Sequence, residues 1–244
     1  MGKPLVAFLT GAGISTDSGI PDYRGPSGLW TRNPEHEKLV TYSYYMADTG
    51  IRRQSWQMRR ELWAAGFAPN AAHRAIAELD SSGAAAVRVL TQNIDGLHQD
   101  AGLASRKVLE LHGTSRFVMC ASCGARGPVA DVFARLDAGE GDPACLACGG
   151  ILKTATVMFG EALDGDVLAE AAAIAQACTV MFAVGTSLQV YPAAGLVGLA
   201  VDAGARLVIV NASPTPYDEM AADVVREPIG SALPRLLRDL AASA

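Results

Sequence analysis

Long hydrophobic runs are missing from this sequence of 244 residues. Its apolar stretches, such as residues 5–9 and 180–184, are far shorter than the roughly 18 residues that a membrane-spanning helix needs. The first residues also lack the small-residue cleavage pattern that follows the apolar core of a secretory signal. We therefore expect a cytoplasmic protein with no membrane partner.

An excess of positive charge is missing as well. The chain has 20 Lys and Arg residues against 25 Asp and Glu residues, which gives a formal net charge of -5. This balance disfavours a nucleic-acid partner, because sequence-independent binding to phosphates needs a broad positive field. With 50% hydrophobic and 18% charged residues, the composition excludes disordered and collagen-like chains. The length allows one large domain with an insertion, or two small domains.

The sequence does contain alternating strand and helix patterns. Apolar runs rich in β-branched residues are typical of buried strands in a parallel sheet, and they lie at residues 5–10, 87–91, 108–111, 180–185, 207–211 and 223–225. Helical patterns lie between them, at residues 70–79, 164–177, 193–203 and 232–241. This alternation predicts an α/β fold built on a Rossmann-like, doubly wound parallel sheet.

Two stretches interrupt the alternation. Residues 28–65 are polar and helical in character, whereas residues 116–153 are rich in Gly and Cys and have no long apolar run. We expect both to be insertions that build a smaller domain, the first helical and the second cysteine-rich. Residues 1–27, 66–115 and 154–244 then form the Rossmann-like domain.

Gly11 and Gly13 directly follow the first predicted strand. A backbone without Cβ atoms can approach a dinucleotide pyrophosphate closely here, and the start of the next helix offers free N–H groups. The third glycine of the dehydrogenase fingerprint is absent, since Thr16 occupies its place. A plain tight turn is therefore the alternative. The turn-rich loop at 18–25, which carries Arg24, favours a loop that covers a ligand.

Polar residues follow several other predicted strands. Asn93 and Asp95 come after the second strand, His112 after the third, and residues 185–190 and 211–213 after two later strands. Each has a structural alternative, either an Asx turn or helix cap or, for the histidine, a structural hydrogen bond. Because ligands bind at the carboxyl ends of parallel strands, their convergence predicts one crevice with His112 as a candidate general base.

Four of the five cysteines form two close pairs, Cys120 with Cys123 and Cys145 with Cys148. Two such knuckles give four thiolates the tetrahedral arrangement that zinc favours. Disulfides are the alternative in a secreted protein, and iron–sulfur sites usually have other spacings. We predict a zinc-ribbon module with one structural zinc ion and no open position for catalysis. Cys178 is interpreted as a small core residue.

Together these strings resemble the sirtuin family, the NAD-dependent protein lysine deacylases. The resemblance covers nearly the whole chain and is carried by residues 11–24, 91–98, 112–113, 159–161 and 185–188 and by the four paired cysteines. It implies that NAD is a cosubstrate bound between the two domains. It also implies that an acyl-lysine protein or peptide pairs as an added strand between residues 157–161 and 188–191. The products would be deacylated lysine, nicotinamide and O-acyl-ADP-ribose.

The resemblance also implies roles for individual residues. His112 would be the general base, Asn93 and Ser15 would position ribose or water, and Asp95 would hold the nicotinamide carboxamide. The residues implied to bind NAD are Gly11, Ala12, Gly13, Ser15, Asp22, Tyr23, Arg24, Gln92, Asn93, Ile94, Asp95, Gly185, Thr186, Ser187, Asn211, Ala212, Ser213 and Ile229. Those implied to bind the substrate are Val157, Met158, Phe159, Gly160, Glu161, Leu188, Val190, Tyr191 and Arg59.

The acyl preference depends on the first insertion. Sirtuins that prefer succinyl- or malonyl-lysine carry a Tyr-x-x-Arg pair there, and the nearest equivalent here is Trp56 with Arg59. Arg59 could pair with an acyl carboxylate, although indole lacks the phenol hydroxyl. The alternative is a solvated Arg on a basic helix that also bears Arg52, Arg53 and Arg60. We hypothesise deacetylase activity, with desuccinylase activity as an addition.

Three other functions compete with this one. An NAD-dependent protein ADP-ribosyltransferase could use the same cleft. A zinc-ribbon binding module fused to a nucleotide sensor would leave His112 without a role. A conventional dehydrogenase is disfavoured by the missing third glycine and by the lack of a convincing acidic residue about 20 residues further on.

Overall fold

Six parallel strands form the larger of two sheets in the structure, a computed structural model that describes residues 3–22 and 34–242. In chain order the strands are β1 (Leu5–Thr10), β2 (Ala86–Thr91), β3 (Val108–Glu110), β4 (Gly113–Cys120), β5 (Arg126–Pro128), β6 (Leu152–Thr156), β7 (Val180–Val184), β8 (Arg206–Val210) and β9 (Asp223–Val225). The large sheet has the order β3-β2-β1-β7-β8-β9. This is the doubly wound Rossmann order, so the predicted fold class is confirmed, with every predicted strand present to within one residue.

Helices cover both faces of the large sheet and build the insertions. They are α1 (Tyr42–Ala47), α2 (Thr49–Ala64), α3 (Ala71–Ser82), α4 (Leu97–Asp100), α5 (Val129–Asp137), α6 (Gly165–Ala177), α7 (Gly195–Asp202) and α8 (Ile229–Ala242). Short 3-10 helices lie at Ala12–Ser18, Pro34–Val40, Ser105–Lys107 and Asp218–Met220. No helix in the described ranges combines the length and the apolar character that crossing a bilayer requires.

Local sequence explains where the longer helices begin and end. The side chain of Asn70 accepts hydrogen bonds from the first free N–H groups of α3, and the Asp164 side chain does the same for α6. Helix α3 ends at Gly83, whose φ of 72° is the left-handed conformation that glycine adopts without strain. It is therefore longer than its predicted span.

Two apolar layers enclose the large sheet because side chains alternate along each strand. From β1, Val6 and Phe8 face a layer that includes α3 and α8, whereas Ala7 and Leu9 face a layer that includes α6 and α7. Phe8 stacks on Phe182 of the neighbouring β7, with ring centroids 5.2 Å apart. This core fixes the carboxyl ends of β1, β2 and β7 at one rim.

The smaller sheet is antiparallel, with the order β5-β4-β6. It begins at Gly113 and ends at Thr156, so its strands extend beyond the predicted boundaries of the cysteine-rich insertion by three residues at each end. Its core joins both insertions, since Trp56 of α2 packs with Val118 and Phe133. The insertion also contains α5, which the sequence analysis did not predict.

Candidate active site

A cavity of about 470 Å³ lies at the carboxyl ends of β1 and β7, where the strand order reverses. Ligands of open α/β sheets bind at such a switch point. The cavity brings together residues that follow five of the six predicted strands, and Val40 and Arg59 from the first insertion. Among the predicted residues it is lined by Gly11, Ala12, Gly13, Asp22, Arg59, Gln92, Asn93, Ile94, His112, Val157, Met158, Phe159, Glu161, Gly185, Thr186, Ser187, Val190, Tyr191, Asn211 and Ser213.

The glycines at this rim pack against one another. A Cβ atom on Gly11 would lie 2.7 Å from the carbonyl oxygen of Gly185, and one on Gly13 would lie 2.8 Å from its Cα. The N–H of Gly13 donates to that carbonyl at 2.9 Å. Because Gly11 and Gly13 have no side chains, the turn that follows β1 can contact the turn that follows β7. The helix that follows is a seven-residue 3-10 helix.

Asn93, Ser15 and Asp95 form a hydrogen-bonded network at the end of β2. The Asn93 Nδ2 donates to the Gly11 carbonyl at 3.1 Å and to the Ser15 Oγ at 3.2 Å. The Ser15 hydroxyl in turn donates to Asp95 Oδ2 at 2.7 Å, and the N–H of Leu97 donates to Asp95 Oδ1. Because the amide hydrogens of Asn93 are used within the protein, its carbonyl oxygen is the group that can accept from a ligand.

His112 lies between β3 and β4 and lines the cavity. Its Nδ1 is 2.9 Å from the carbonyl oxygen of Gln92. Since a carbonyl only accepts, Nδ1 carries the hydrogen in the neutral ring and Nε2 keeps a lone pair. Burial lowers the pKa of His112, and the hydrogen bond to Gln92 partly opposes this. The imidazole is therefore neutral near pH 7, as a general base must be.

A second, fully buried chain of hydrogen bonds supports the Asn93 loop from below. The Thr10 hydroxyl donates to Thr91 Oγ1 at 2.8 Å, which also accepts the Asn93 N–H at 3.0 Å. Thr10 is therefore the acceptor for His98 Nε2, 3.0 Å away. The His98 ring packs edge-on against His73, with centroids 4.9 Å apart. Both rings are buried in the protein, so these two histidines support the site without facing it.

A second cavity of about 460 Å³ adjoins the first. The two share a wall that includes Arg59, Asn93 and Ile94. Ser15 and Asp95 face this second cavity, which is otherwise mostly apolar. Its apolar wall was not predicted and includes Leu62, Trp63, Phe67 and Phe133. Residues 59, 62 and 63 are three and four positions apart, so they lie on one face of α2. This helical spacing is the sequence pattern that could have predicted part of the wall.

Arg59 and Trp56 do not form a pair at the cavity. Trp56 is 0% exposed and packs edge-on against Phe133 in the small-domain core. Arg59 lines both cavities, and its Nε donates to Ser55 Oγ at 3.3 Å. Of the other arginines of α2, Arg52 is buried and bound to Asp142, so it does not belong to a solvated basic face.

Several predicted residues lie outside both cavities. Of those that the structure describes, Gly160, Leu188, Ala212 and Ile229 line neither. Leu188 is 1% exposed and packs into the sheet core, so any contact with a substrate would use its backbone. Tyr23 and Arg24 lie outside the described residues. Neighbours that were not predicted also line the first cavity: Val40, Thr156, Leu163 and Pro214.

The four paired cysteines converge at one point of the small domain. All four Sγ atoms lie within 4.8 Å of one another, with 3.5 Å between Cys120 and Cys148 and 3.8 Å between Cys123 and Cys145. These separations exclude disulfides, and a zinc ion with four thiolates places the sulfurs about 3.8 Å apart. The donor set fits one structural zinc with no position left for water. Cys178 lies in the sheet core.

Fold and site together define a dinucleotide-binding α/β enzyme with a four-cysteine metal module. The Sir2 family matches residues 11–192 of the chain. NAD-dependent protein deacetylase 2 of Streptomyces coelicolor is 71% identical over 239 residues, which are 98% of this chain and 99% of that protein. NAD-dependent protein deacetylase 1 of Bradyrhizobium diazoefficiens is 42% identical over 234 residues, covering 95% and 89% of the two chains.

Solved structures agree with these relatives. A Sir2 enzyme with a deacetylated p53 peptide and 3′-O-acetyl ADP-ribose has a TM-score of 0.85 and 34% identity, covering 96% of this chain and 93% of that one. A further Sir2 enzyme has a TM-score of 0.87 and 37% identity, covering 99% and 94%. The chain belongs to the Sir2 family of NAD-dependent protein deacetylases. The sirtuin prediction is thereby confirmed, and ADP-ribosyl transfer to protein is not favoured.

Proposed function

We propose that this protein removes acetyl groups from lysine side chains of proteins or peptides and that the residues assigned from the sequence do this work. One observation carries the proposal. The neutral His112 ring, Asn93 and four of the five residues 157–161 all line the same cavity at the switch point of the sheet. NAD, when bound there, supplies the ADP-ribose that accepts the acyl group as nicotinamide leaves.

The chain's own groups would act in sequence around that cosubstrate. Asp95, oriented by Ser15, would accept hydrogen bonds from the carboxamide in the second cavity, and the Asn93 carbonyl oxygen would hold a ribose hydroxyl or water. His112 would then take a proton from a ribose hydroxyl at Nε2. The peptide would add as a strand between residues 157–161 and residues 188–191, most of which line the cavity.

Mass spectrometry of the products from an acetyl-lysine peptide and NAD tests this proposal. We expect deacetylated peptide, nicotinamide and O-acetyl-ADP-ribose in equal amounts, and their loss in His112→Ala. With labelled NAD, label that ends on protein instead of on the released acyl group would favour the ADP-ribosyltransferase alternative. NAD consumption that is unchanged in His112→Ala would contradict the role of the imidazole.

Arg59 is the residue that we propose for reading an acyl carboxylate. It lines the shared wall of the two cavities, and a guanidinium binds carboxylates by paired hydrogen bonds. Arg59→Ala should lower kcat/KM on a succinyl peptide about tenfold more than on an acetyl peptide. Arg60→Ala is the matched control, because Arg60 lies on the same helix as Arg59 but its side chain pairs with the exposed Asp137 of α5. Equal losses on both peptides would exclude this role.

We also propose the cytoplasm as the place of action, since a reducing compartment keeps the four thiolates available to a metal. The three-part organisation stays a proposal as well, with residues 1–27, 66–115 and 154–244 as the NAD-binding domain, residues 28–65 as the helical insertion and residues 116–153 as the zinc module.

A further inference from the structure

Lys153 is a buried charge that the proposed chemistry does not use. It lies on β6 and is 4% exposed. A buried ammonium is tolerated only where hydrogen-bond partners compensate for the lost hydration. Its Nζ donates to the Thr156 carbonyl oxygen at 2.6 Å and to Glu161 Oε2 at 2.9 Å. Both partners line the first cavity.

Glu161 extends this contact into the backbone of the substrate segment. Its Oε2 also accepts the N–H of Met158 at 2.8 Å, and its own N–H donates to the Met158 carbonyl at 3.0 Å. One ammonium and one carboxylate thus hold both ends of residues 156–161. The Glu161 carboxylate is engaged inside the protein, although the sirtuin resemblance implies that this residue contacts substrate.

Backbone hydrogen bonds attach the same segment to the rest of the site. The Val157 N–H donates to the His112 carbonyl at 2.8 Å. Phe159 donates to the Val40 carbonyl at 3.0 Å and accepts from the Tyr42 N–H at 2.9 Å. Main-chain hydrogen bonds therefore attach the segment to His112 on one side and to residues 40–42 on the other. The side chains of Lys153 and Glu161 close its turn.

We propose that Lys153 is a positioning residue for the acyl-peptide. Its ammonium acts through Glu161 to keep residues 156–161 in the shape that receives the peptide as an added strand. This inference rests on the proposed function, because it concerns the peptide side of the same cavity. Added strands bind through main-chain hydrogen bonds, which require the receiving backbone to be held in register.

The test compares Lys153→Met, Lys153→Arg, Glu161→Gln and the double variant Lys153→Met with Glu161→Gln. Steady-state kinetics would give KM for an acetyl peptide, KM for NAD and kcat. We expect Lys153→Met to raise the peptide KM about tenfold while the KM for NAD and kcat change less than about twofold. Lys153→Arg should recover most of the loss, since it keeps the charge and the donors.

The double variant separates an indirect from a direct role of Glu161. If Glu161 acts with Lys153, the double variant raises the peptide KM no more than the single variants do. If the two effects multiply, Glu161 contacts the peptide itself and the proposal is wrong. Equal rises in both KM values, or an unchanged peptide KM, would also overturn it.

Three measurements keep these outcomes interpretable. Lys107→Met is the matched control, because Lys107 pairs with Asp80 at 2.5 Å and neither residue lines a cavity of the site; it should leave both KM values unchanged. Circular dichroism identifies a variant that does not fold, in which case Lys153→Arg and Glu161→Gln decide. A wild-type protein that does not deacetylate the peptide would refute the proposed function before any variant is compared.

Discussion

His112 is held by one contact that determines both its tautomer and its orientation, the hydrogen bond to the Gln92 carbonyl. The donor and acceptor roles of the two ring nitrogens follow from that single bond. A histidine with this arrangement in a cavity is prepared to accept a proton and not to donate one at neutral pH.

The pH dependence of deacetylation should report this histidine. A base works only when unprotonated, so activity should be present above the pKa of His112 and be lost as the pH falls through it. Burial lowers that pKa below the ordinary 6.5. The pH at which kcat/KM falls to half of its maximum should therefore lie below 6.5. A kcat/KM profile from pH 5 to 8 measures this, and an acidic limb centred above 6.5 would contradict the prediction.

Asn93, Ser15 and Asp95 illustrate what a sequence does and does not predict at this scale. Asn93 and Asp95 follow a clear strand, so their place at the rim could be predicted. The bond from Ser15 to Asp95 joins residues 80 positions apart and has no local pattern. The burial of Trp56 has no local pattern either, since only the tertiary fold puts its ring in the small-domain core.

At the scale of elements, the contact between the β1 and β7 turns depends on Gly185. Its φ is 61°, and a Cβ there would lie 2.3 Å from the backbone nitrogen of Ile14. Gly204 provides a matched position, because its φ is 93° but a Cβ there would point into open space, with no neighbouring atom within 4 Å. The two sites separate backbone strain from a clash between elements.

Gly185→Ala should therefore destabilise the protein more than Gly204→Ala. Positive φ costs an alanine about 1–2 kcal/mol at either site, and the clash should bring the total at Gly185 to about 3 kcal/mol or more. Urea denaturation measures both. Equal losses in the two variants would mean that the turns after β1 and β7 can move apart at little cost in free energy.

The two histidines that join α3 and α4 to the sheet should make the fold sensitive to acid. Burial lowers the pKa of His98 to about 3 and that of His73 to about 4. Between these values and 6.5 the unfolded chain binds protons that the folded chain does not, so stability falls as the pH falls. The slope should reach about 1.4 kcal/mol per pH unit for each histidine.

Replacing His98 by Gln tests this coupling. The variant should lose about half of the pH dependence of the free energy of unfolding between pH 6.5 and 4. Denaturation curves at several pH values provide the measurement. The same dependence in both proteins would show that other groups cause the acid sensitivity.

Elements were predicted unevenly, for physical reasons. Strand β1 was predicted to the residue, because a short apolar run between polar ends has few other interpretations. Helix α5 was missed, although Val129, Val132, Phe133 and Leu136 repeat with helical spacing and pack in the small-domain core. The Gly- and Cys-rich residues on either side of it concealed that pattern.

At the scale of the whole molecule, the metal module and the active-site wall share one core. Cys120 and Cys145 pack in the same cluster as Trp56, which lies on the helix that carries Arg59. Arg52 of that helix also binds Asp142 at 2.8 Å. Loss of the metal should therefore affect α2 as well as residues 116–153.

Cys145→Ser should abolish zinc binding and unfold the small domain, because the metal's binding energy stabilises the fold. Hydrogen exchange should increase in residues 49–64 and 116–153 while β1 and β7 stay protected. Cys178→Ser is the control and should retain one zinc ion, since Cys178 lies in the core of the large parallel sheet. A folded, metal-free and inactive Cys145→Ser protein would contradict this prediction.

The connection between the two sheets is only two residues long. Strand β3 ends at Glu110 and β4 begins at Gly113, where a Cβ would lie 2.2 Å from the Ala155 carbonyl oxygen. The intervening His112 thus occupies the joint, and its own carbonyl holds Val157. A shift of one sheet against the other would therefore move the backbone that carries the imidazole. On this geometry, we expect the position of residues 156–161 and the orientation of the base to change together.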